Sequence, residues 1–172
     1  ARFTPCDPFD PETTMVAIVY DIHLNSVMKY IESGKTEGAE LLAGGNRCRE
    51  ESGGYFIEPT IFVTDKNHTI AREEIFGPVL SAMSFETEEE VIALANDSIY
   101  GLQAGLWTAD ISRAHRVARA LKAGTVHVNQ YNDDDITVPF GGYKQSGNGR
   151  DKSLHSMDKY CELKTTWIKI DY

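Results

Sequence analysis

The sequence predicts an α/β fold, a mostly parallel sheet with flanking helices. Three observations carry that expectation. Apolar residues recur at helical spacing in three separate stretches. Short apolar or β-branched runs bounded by glycine and proline fall between them, and the two kinds of segment alternate along the chain rather than cluster.

Asp21 followed by Leu24, Val27, Met28 and Ile31 places apolar groups on one helix face, with Asp21 as N-cap and Gly34 as stop. Residues 39–43, between Gly38 and the Gly44-Gly45 pair, read as a short buried strand. Residues 55–63 read as a second, interrupted at Pro59. A strand at 81–85 leads into Thr87-Glu88-Glu89-Glu90, a capping box whose hydroxyl and carboxylate satisfy orphan amides reciprocally, and the helix continues through Val91, Ile92, Leu94 and Ala95. Residues 104–107 return as a strand. Asp110 then caps a third helix with Ala114, Val117, Ala118 and Leu121 on its buried face and Gly124 at its end. Residues 125–129 alternate polar and apolar, as a strand with one buried face does. A helix over 152–160 would take Asp151 as its cap. Residues 161–171 are β-branched and aromatic without clean alternation, the composition of an edge strand that needs a partner.

Composition excludes several classes. With 41% hydrophobic and 25% charged residues the 172-residue chain is of ordinary globular type. Its net charge of -9 argues against nucleic acid or an anionic membrane as partner. No apolar stretch reaches the roughly 20 residues of a membrane helix. The N-terminal residues are not those of a signal peptide, and the widely spaced Cys6, Cys48 and Cys161 form neither a disulfide framework nor a zinc set. A cytoplasmic location is the expectation. The five histidines lack metal-ligand spacing and read as surface or packing residues, and no phosphate-binding glycine loop occurs. No metal is expected.

Two segments carry chemistry. Glu73-Glu74-Ile75-Phe76-Gly77-Pro78-Val79 sets two carboxylates and an aromatic ring beside a Gly-Pro turn, and Pro139-Phe140-Gly141-Gly142-Tyr143-Lys144-Gln145-Ser146-Gly147 follows in the same register. They resemble the Glu-x-x-Phe-Gly-Pro and Pro-Phe-Gly-Gly signatures of the NAD(P)-dependent aldehyde dehydrogenases. The resemblance runs over essentially the whole chain and is that of the C-terminal third of such an enzyme. The string from Tyr131 to His155 looks most like the gamma-glutamyl-gamma-aminobutyraldehyde dehydrogenase subgroup. This implies a catalytic-domain portion over 1–145, a segment packing back toward the cofactor-binding domain over 146–160, and an oligomerisation strand over 161–172. It also implies that the nucleophilic cysteine, the base glutamate and most of the dinucleotide fold belong upstream of Ala1.

The resemblance assigns roles residue by residue. Glu74 matches the glutamate that binds the nicotinamide-side ribose, and Phe76 the aromatic that limits the nicotinamide, so NAD or NADP is the expected cofactor. Glu73 reads as a solvated charge, while Gly77 and Pro78 fix the turn. Asn129 stands at a strand end near the active site, where a structural role and a direct one both remain open. Phe140 matches the wall of the aldehyde tunnel, with Gly141 and Gly142 supporting it. Asn132, Asp133 and Asp134 occupy the variable mouth of that tunnel, where negative charge favours an aldehyde bearing an amine; three acids in a row are also a common solvated surface run. Asp151 matches an acidic residue proposed to relay protons, where burial would raise its pKa, and it equally suits a helix cap.

The implied reaction is oxidation of a small-molecule aldehyde to a carboxylic acid by the whole enzyme, a homodimer or homotetramer, with this chain inactive alone. The remainder of the polypeptide is then its first partner. The rival reading is a non-catalytic assembly module that pairs through its last strand. A third, the acyl-phosphate reductase branch, is disfavoured by the intact Glu-x-x-Phe-Gly-Pro segment.

Overall fold

The computed structural model describes residues 3–131, 133 and 135–171. It separates into two compact units, Ala1–Phe85 and Glu86–Tyr172.

In the first unit the helical period drives α1 (Asp21–Thr36), which buries Leu24, Val27, Ile31 and Gly34. Tyr20, not Asp21, is the N-cap, and Asp21 sits in the first turn where its charge suits the positive helix end. Gly34 is not the stop either. It lies in the helix because a Cβ there would fall 2.7 Å from Ile70 Cδ1, so the glycine admits the neighbouring helix, and the chain turns only at Gly38 with φ +91°. Strands β1 (Glu40–Ala43), β2 (Arg47–Cys48), β3 (Phe56–Ile57) and β4 (Thr60–Val63) follow. The single strand expected over 55–63 is thus two pieces broken at the expected proline. The short helix α2 (Thr69–Arg72) precedes β5 (Val79–Ala82), which begins and ends earlier than its pattern suggested. Leu24, Val27, Ile31, Ala39, Ile57, Phe62 and Ile70 make the core.

The second unit holds α3 (Glu88–Asn96), β6 (Gln103–Leu106), α4 (Ile111–Ala120) and β7 (Thr125–Val128). Thr87 Oγ1 accepts from Glu90 N at 3.1 Å, as a capping box requires. The returning Glu90 carboxylate reaches Glu86 N at 2.7 Å, one residue beyond the cap. Asp110 caps α4 by accepting from Ser112 N at 2.8 Å and Arg113 N at 3.1 Å, and these bonds hold its carboxyl below the usual range. Glu88 joins the two helices. It accepts from Arg116 Nε at 2.5 Å and Nη2 at 2.8 Å and from Arg113 Nε at 3.1 Å, and the Arg116 contacts chiefly depress its pKa.

The sheet is mixed and divided, not mostly parallel. β4 with β5 and β6 with β7 run parallel, whereas β1 with β4 and β2 with β3 run antiparallel, in three small sheets. The difference lies in what the links carry: β1 and β4 are joined through the antiparallel β2–β3 pair, whereas α2 lies between β4 and β5 and α4 between β6 and β7, as the crossovers of parallel pairs require. The β1 residues, expected to be buried, are exposed. Residues 161–171 form no strand and lie exposed, with Trp167 at 93%, because no strand among the described residues pairs with them.

Candidate functional site

Residues 73–78 lie along α1, and each contact follows from the helical spacing of its partner. Tyr30 Oη donates to Glu73 Oε2 at 2.9 Å, so Glu73 is a tethered rather than a merely solvated charge. Gly77 sits on Val27, where a Cβ would come 2.6 Å from Cγ2. His23 Nε2 lies 2.7 Å from the Phe76 carbonyl oxygen and therefore donates to it, with the two rings 6.5 Å apart. His23, Val27 and Tyr30 stand at i, i+4 and i+7 of one helix face. Taken as a lone histidine, His23 passed as packing; its spacing from Val27 and Tyr30 was the signal that could have found it. Pro78 anchors the far end, its carbonyl accepting from Thr60 N at 2.8 Å beside β4.

Held this way, Phe76 adopts φ +56°, a left-handed conformation that costs a residue with a Cβ about 1–2 kcal/mol. Its ring is 76% exposed. Glu74 is exposed beside it, and its carboxylate has no hydrogen bond or ion pair among the described residues. A free carboxylate next to an open aromatic face fits a ribose diol and the planar ring joined to it: the first accepts two hydroxyl hydrogens, the second limits where the ring lies. Backbone strain retained for an exposed side chain is characteristic of a ligand clamp.

The second unit presents its residues at the carboxyl end of β7. Asn129, at φ +56°, donates from Nδ2 to Thr108 O at 2.9 Å and accepts at Oδ1 from Thr108 N at 2.8 Å. One bond from each end of its amide ties the β7 exit to the β6 exit. Phe140 and Asp151 form an antiparallel bridge, N to O at 2.9 Å and 2.7 Å, that closes the second motif into a loop. Inside it Gly141 is half-buried and Gly142 buried, with Gly142 O accepting from Arg150 Nη1 at 2.9 Å. Lys144 Nζ donates to the carbonyls of Asn96 at 2.9 Å and Ser98 at 2.8 Å, pinning the loop to the end of α3.

Asp151 is not a cap. Ser153 takes that place, accepting from His155 N, and residues 154–160 are 3₁₀ rather than α-helical, because Lys152 and Ser153 both adopt positive φ and delay the helix start. Nor is Asp151 buried in this chain: it is exposed and ion-paired with Lys159. The Phe140 ring is half-buried with Lys152 Nζ 5.5 Å from its centroid, and Asp133 is exposed. Asn132 and Asp134 lie outside the described residues. Glu74 and Phe76 thus lie in the first unit; in the second, Asp133 and Phe140 line one cleft, Phe140 is bridged to Asp151, and Asn129 is tied to Thr108 instead.

Sequence and structural comparisons agree with these motifs. The aldehyde dehydrogenase family profile matches residues 1–166. An NADP/NAD-dependent aldehyde dehydrogenase, PuuC of Escherichia coli K12, is 55% identical over 171 residues, covering 99% of this chain and 34% of that protein. Indole-3-acetaldehyde dehydrogenase, solved with NAD+, is 56% identical with a TM-score of 0.94 over 98% of this chain and 34% of its own. Gamma-glutamyl-gamma-aminobutyraldehyde dehydrogenase from Burkholderia cenocepacia is 51% identical, with a TM-score of 0.92 over 96% of this chain and 34% of its own. The chain therefore spans about a third of the length of the relatives it matches. Its fold is a mixed α/β portion of theirs, and the chain belongs to the aldehyde dehydrogenase family.

Proposed function

We propose that this chain is the part of an NAD(P)-dependent aldehyde dehydrogenase that positions the nicotinamide end of the cofactor and shapes the aldehyde entrance, in an enzyme acting on an amine-bearing aldehyde such as gamma-glutamyl-gamma-aminobutyraldehyde. The observation that carries the first half is the strained, exposed Phe76 beside the unpartnered Glu74. Support for the substrate comes from the acidic residues after Tyr131 and from the likeness to the Burkholderia enzyme.

Bound there, NAD(P) supplies the hydride acceptor. Glu74 accepts the ribose hydroxyls, Phe76 bounds the ring position, and His23 holds the Phe76 carbonyl so that the turn does not relax. Phe140 contributes an apolar wall that excludes water from the aldehyde. Asp133, with Asn132 and Asp134 beside it in sequence, draws the ammonium group of the substrate to the mouth. Asp151, held beside the second motif by its bridge to Phe140, passes a proton between the site and solvent in the whole enzyme. Residues 1–145 act as part of the catalytic domain, 146–160 pack toward the cofactor-binding domain, and 161–172 add a strand to another subunit. A location in the cytoplasm accords with this role.

The test is Glu74→Gln in the polypeptide that carries this chain at its full length. Hydride transfer should slow by about 10–100-fold, the loss of one or two charge-assisted hydrogen bonds, while aldehyde capture in the absence of cofactor stays unchanged. Equal single-turnover hydride rates for wild type and variant would remove Glu74 from the site.

The exposed, β-branched segment around Trp167 and Ile168 favours a second reading, an assembly module that pairs between subunits without taking part in chemistry. Deleting residues 161–172 and replacing Glu74 discriminate together. Loss of the oligomer on that deletion, together with unchanged hydride transfer in Glu74→Gln, supports the module alone.

A further inference from the structure

Residues 73–77 alternate. Glu73 accepts from the Tyr30 hydroxyl, Ile75 packs against the core that α1 shares with Phe62, and Gly77 rests on Val27, so the odd-numbered residues face α1. Glu74 and Phe76, between them, are exposed. In-and-out alternation is the period of an extended chain, and it divides the segment into three anchors and two free side chains.

Two of those anchors, Ile75 and Gly77, would face the core by apolarity and size alone. Glu73 would not. It stands next to a residue of its own type, and an isolated carboxylate gains nothing by lying along a helix face instead of in water. What turns it inward is Tyr30, whose ring packs against the core and whose hydroxyl donates to Glu73 Oε2 at 2.9 Å. The Glu73 amide is fixed as well, donating to Thr69 O at 3.0 Å where α2 ends. With the backbone and the side chain of Glu73 both held, the next side chain in an extended chain points the other way, and that side chain is Glu74.

The spacing of the tethers fits. From His23, which holds the Phe76 carbonyl, to Tyr30, which holds Glu73, α1 rises about 10.5 Å. Three residues of extended chain, from Glu73 to Phe76, reach about 10 Å. One side chain at each end of a two-turn stretch of helix therefore spans the whole segment.

We propose that Tyr30 and Glu73 are positioning residues for the dinucleotide: their bond keeps Glu73 on α1 and thereby commits Glu74, alone of the two adjacent carboxylates, to the ligand side of the turn. Neither residue touches cofactor or substrate. Without the bond Glu73 swings free, its charge stands beside that of Glu74, and the direction of the Glu74 carboxylate spreads over several orientations. This deepens the role given to Glu74 above and rests on it.

The experiment is single-turnover hydride transfer by the polypeptide that carries this chain at its full length, with Tyr30→Phe, Glu73→Leu and Glu73→Gln each made in the wild-type and in the Glu74→Gln background. In the wild-type background Tyr30→Phe and Glu73→Leu should each slow hydride transfer about 3–10-fold, the loss of one hydrogen bond to a charged group, and together no more than either alone. Glu73→Gln keeps an acceptor for the Tyr30 hydroxyl and should retain most of the rate that Glu73→Leu loses. In the Glu74→Gln background neither Tyr30→Phe nor Glu73→Leu should slow the step further, because both act through Glu74, whereas a general loosening of α1 would slow it in either background. Aldehyde capture without cofactor should stay at the wild-type rate throughout. A full rate in Tyr30→Phe beside a slow Glu74→Gln overturns the positioning pair alone, as does a loss that persists undiminished in the Glu74→Gln background. A full rate in Glu74→Gln itself removes the proposed function and this pair with it.

Discussion

Phe76→Gly separates fold from function at the cofactor turn. Glycine at φ +56° removes a backbone cost of about 1–2 kcal/mol. Against that stands the burial lost: with 76% of the residue exposed, about 50 Å² of ring leaves its neighbours, or roughly 1 kcal/mol. The flexible glycine also costs about 0.5–1 kcal/mol of chain entropy. The terms nearly cancel, and the net change should stay within about 1 kcal/mol, a shift of the urea midpoint under roughly 0.5 M. Phe62→Ala provides the contrast. That ring is 0% exposed, and its truncation should cost about 3–5 kcal/mol. Urea unfolding of both variants, followed by far-UV circular dichroism, makes the comparison, with dinucleotide binding of the full-length polypeptide measured alongside. Phe76→Gly should unfold almost like wild type and bind dinucleotide more weakly. A destabilisation above about 2 kcal/mol would make Phe76 a packing residue and refute the claim that its strain is kept for a ligand.

Asn129→Ala removes both bonds to Thr108 and leaves a Cβ at positive φ, so it should cost about 1–3 kcal/mol, with faster hydrogen exchange at the Thr108 amide as the local sign. Glu37 accepts from Ser33 Oγ at 2.5 Å and Thr69 N at 2.6 Å, and these bonds, the first foremost, lower its pKa from 4.5 to about 2. A lowered folded-state pKa stabilises above the unfolded value and loses that contribution as pH falls through the folded one. The stability gap between wild type and Glu37→Gln should therefore be constant above pH 4.5 and close between pH 4.5 and about 2, as read by urea midpoints across that range.

What the sequence revealed and what it hid divide along physical lines. Thr87 and Asp110 were readable as caps because capping is a local contest among a few amides, settled by residues within one turn. Gly34 was misread because its reason is Ile70, a residue far along the chain whose approach no local pattern encodes. Asp151 was misread because two consecutive positive-φ residues, Lys152 and Ser153, moved the helix start, and neither residue type announces such a backbone. The β1 strand was taken as buried from apolar content, which speaks to what a strand prefers to cover and not to what this chain holds to cover it. The Glu74–Phe76 segment was legible by motif, and Asn129 and Phe140 by position.

The parallel pairing of β6 with β7 also sets an order of events. No tight turn can zip these strands, because α4 lies between them and the first ladder contact, Gln103 with Thr125, spans that whole helix. Closing the pair waits on a loop ordered chiefly by α4, whose Asp110 cap forms from residues two and three positions away. During synthesis this part of the chain therefore passes through a helical, strand-unpaired stage before Val128 has emerged.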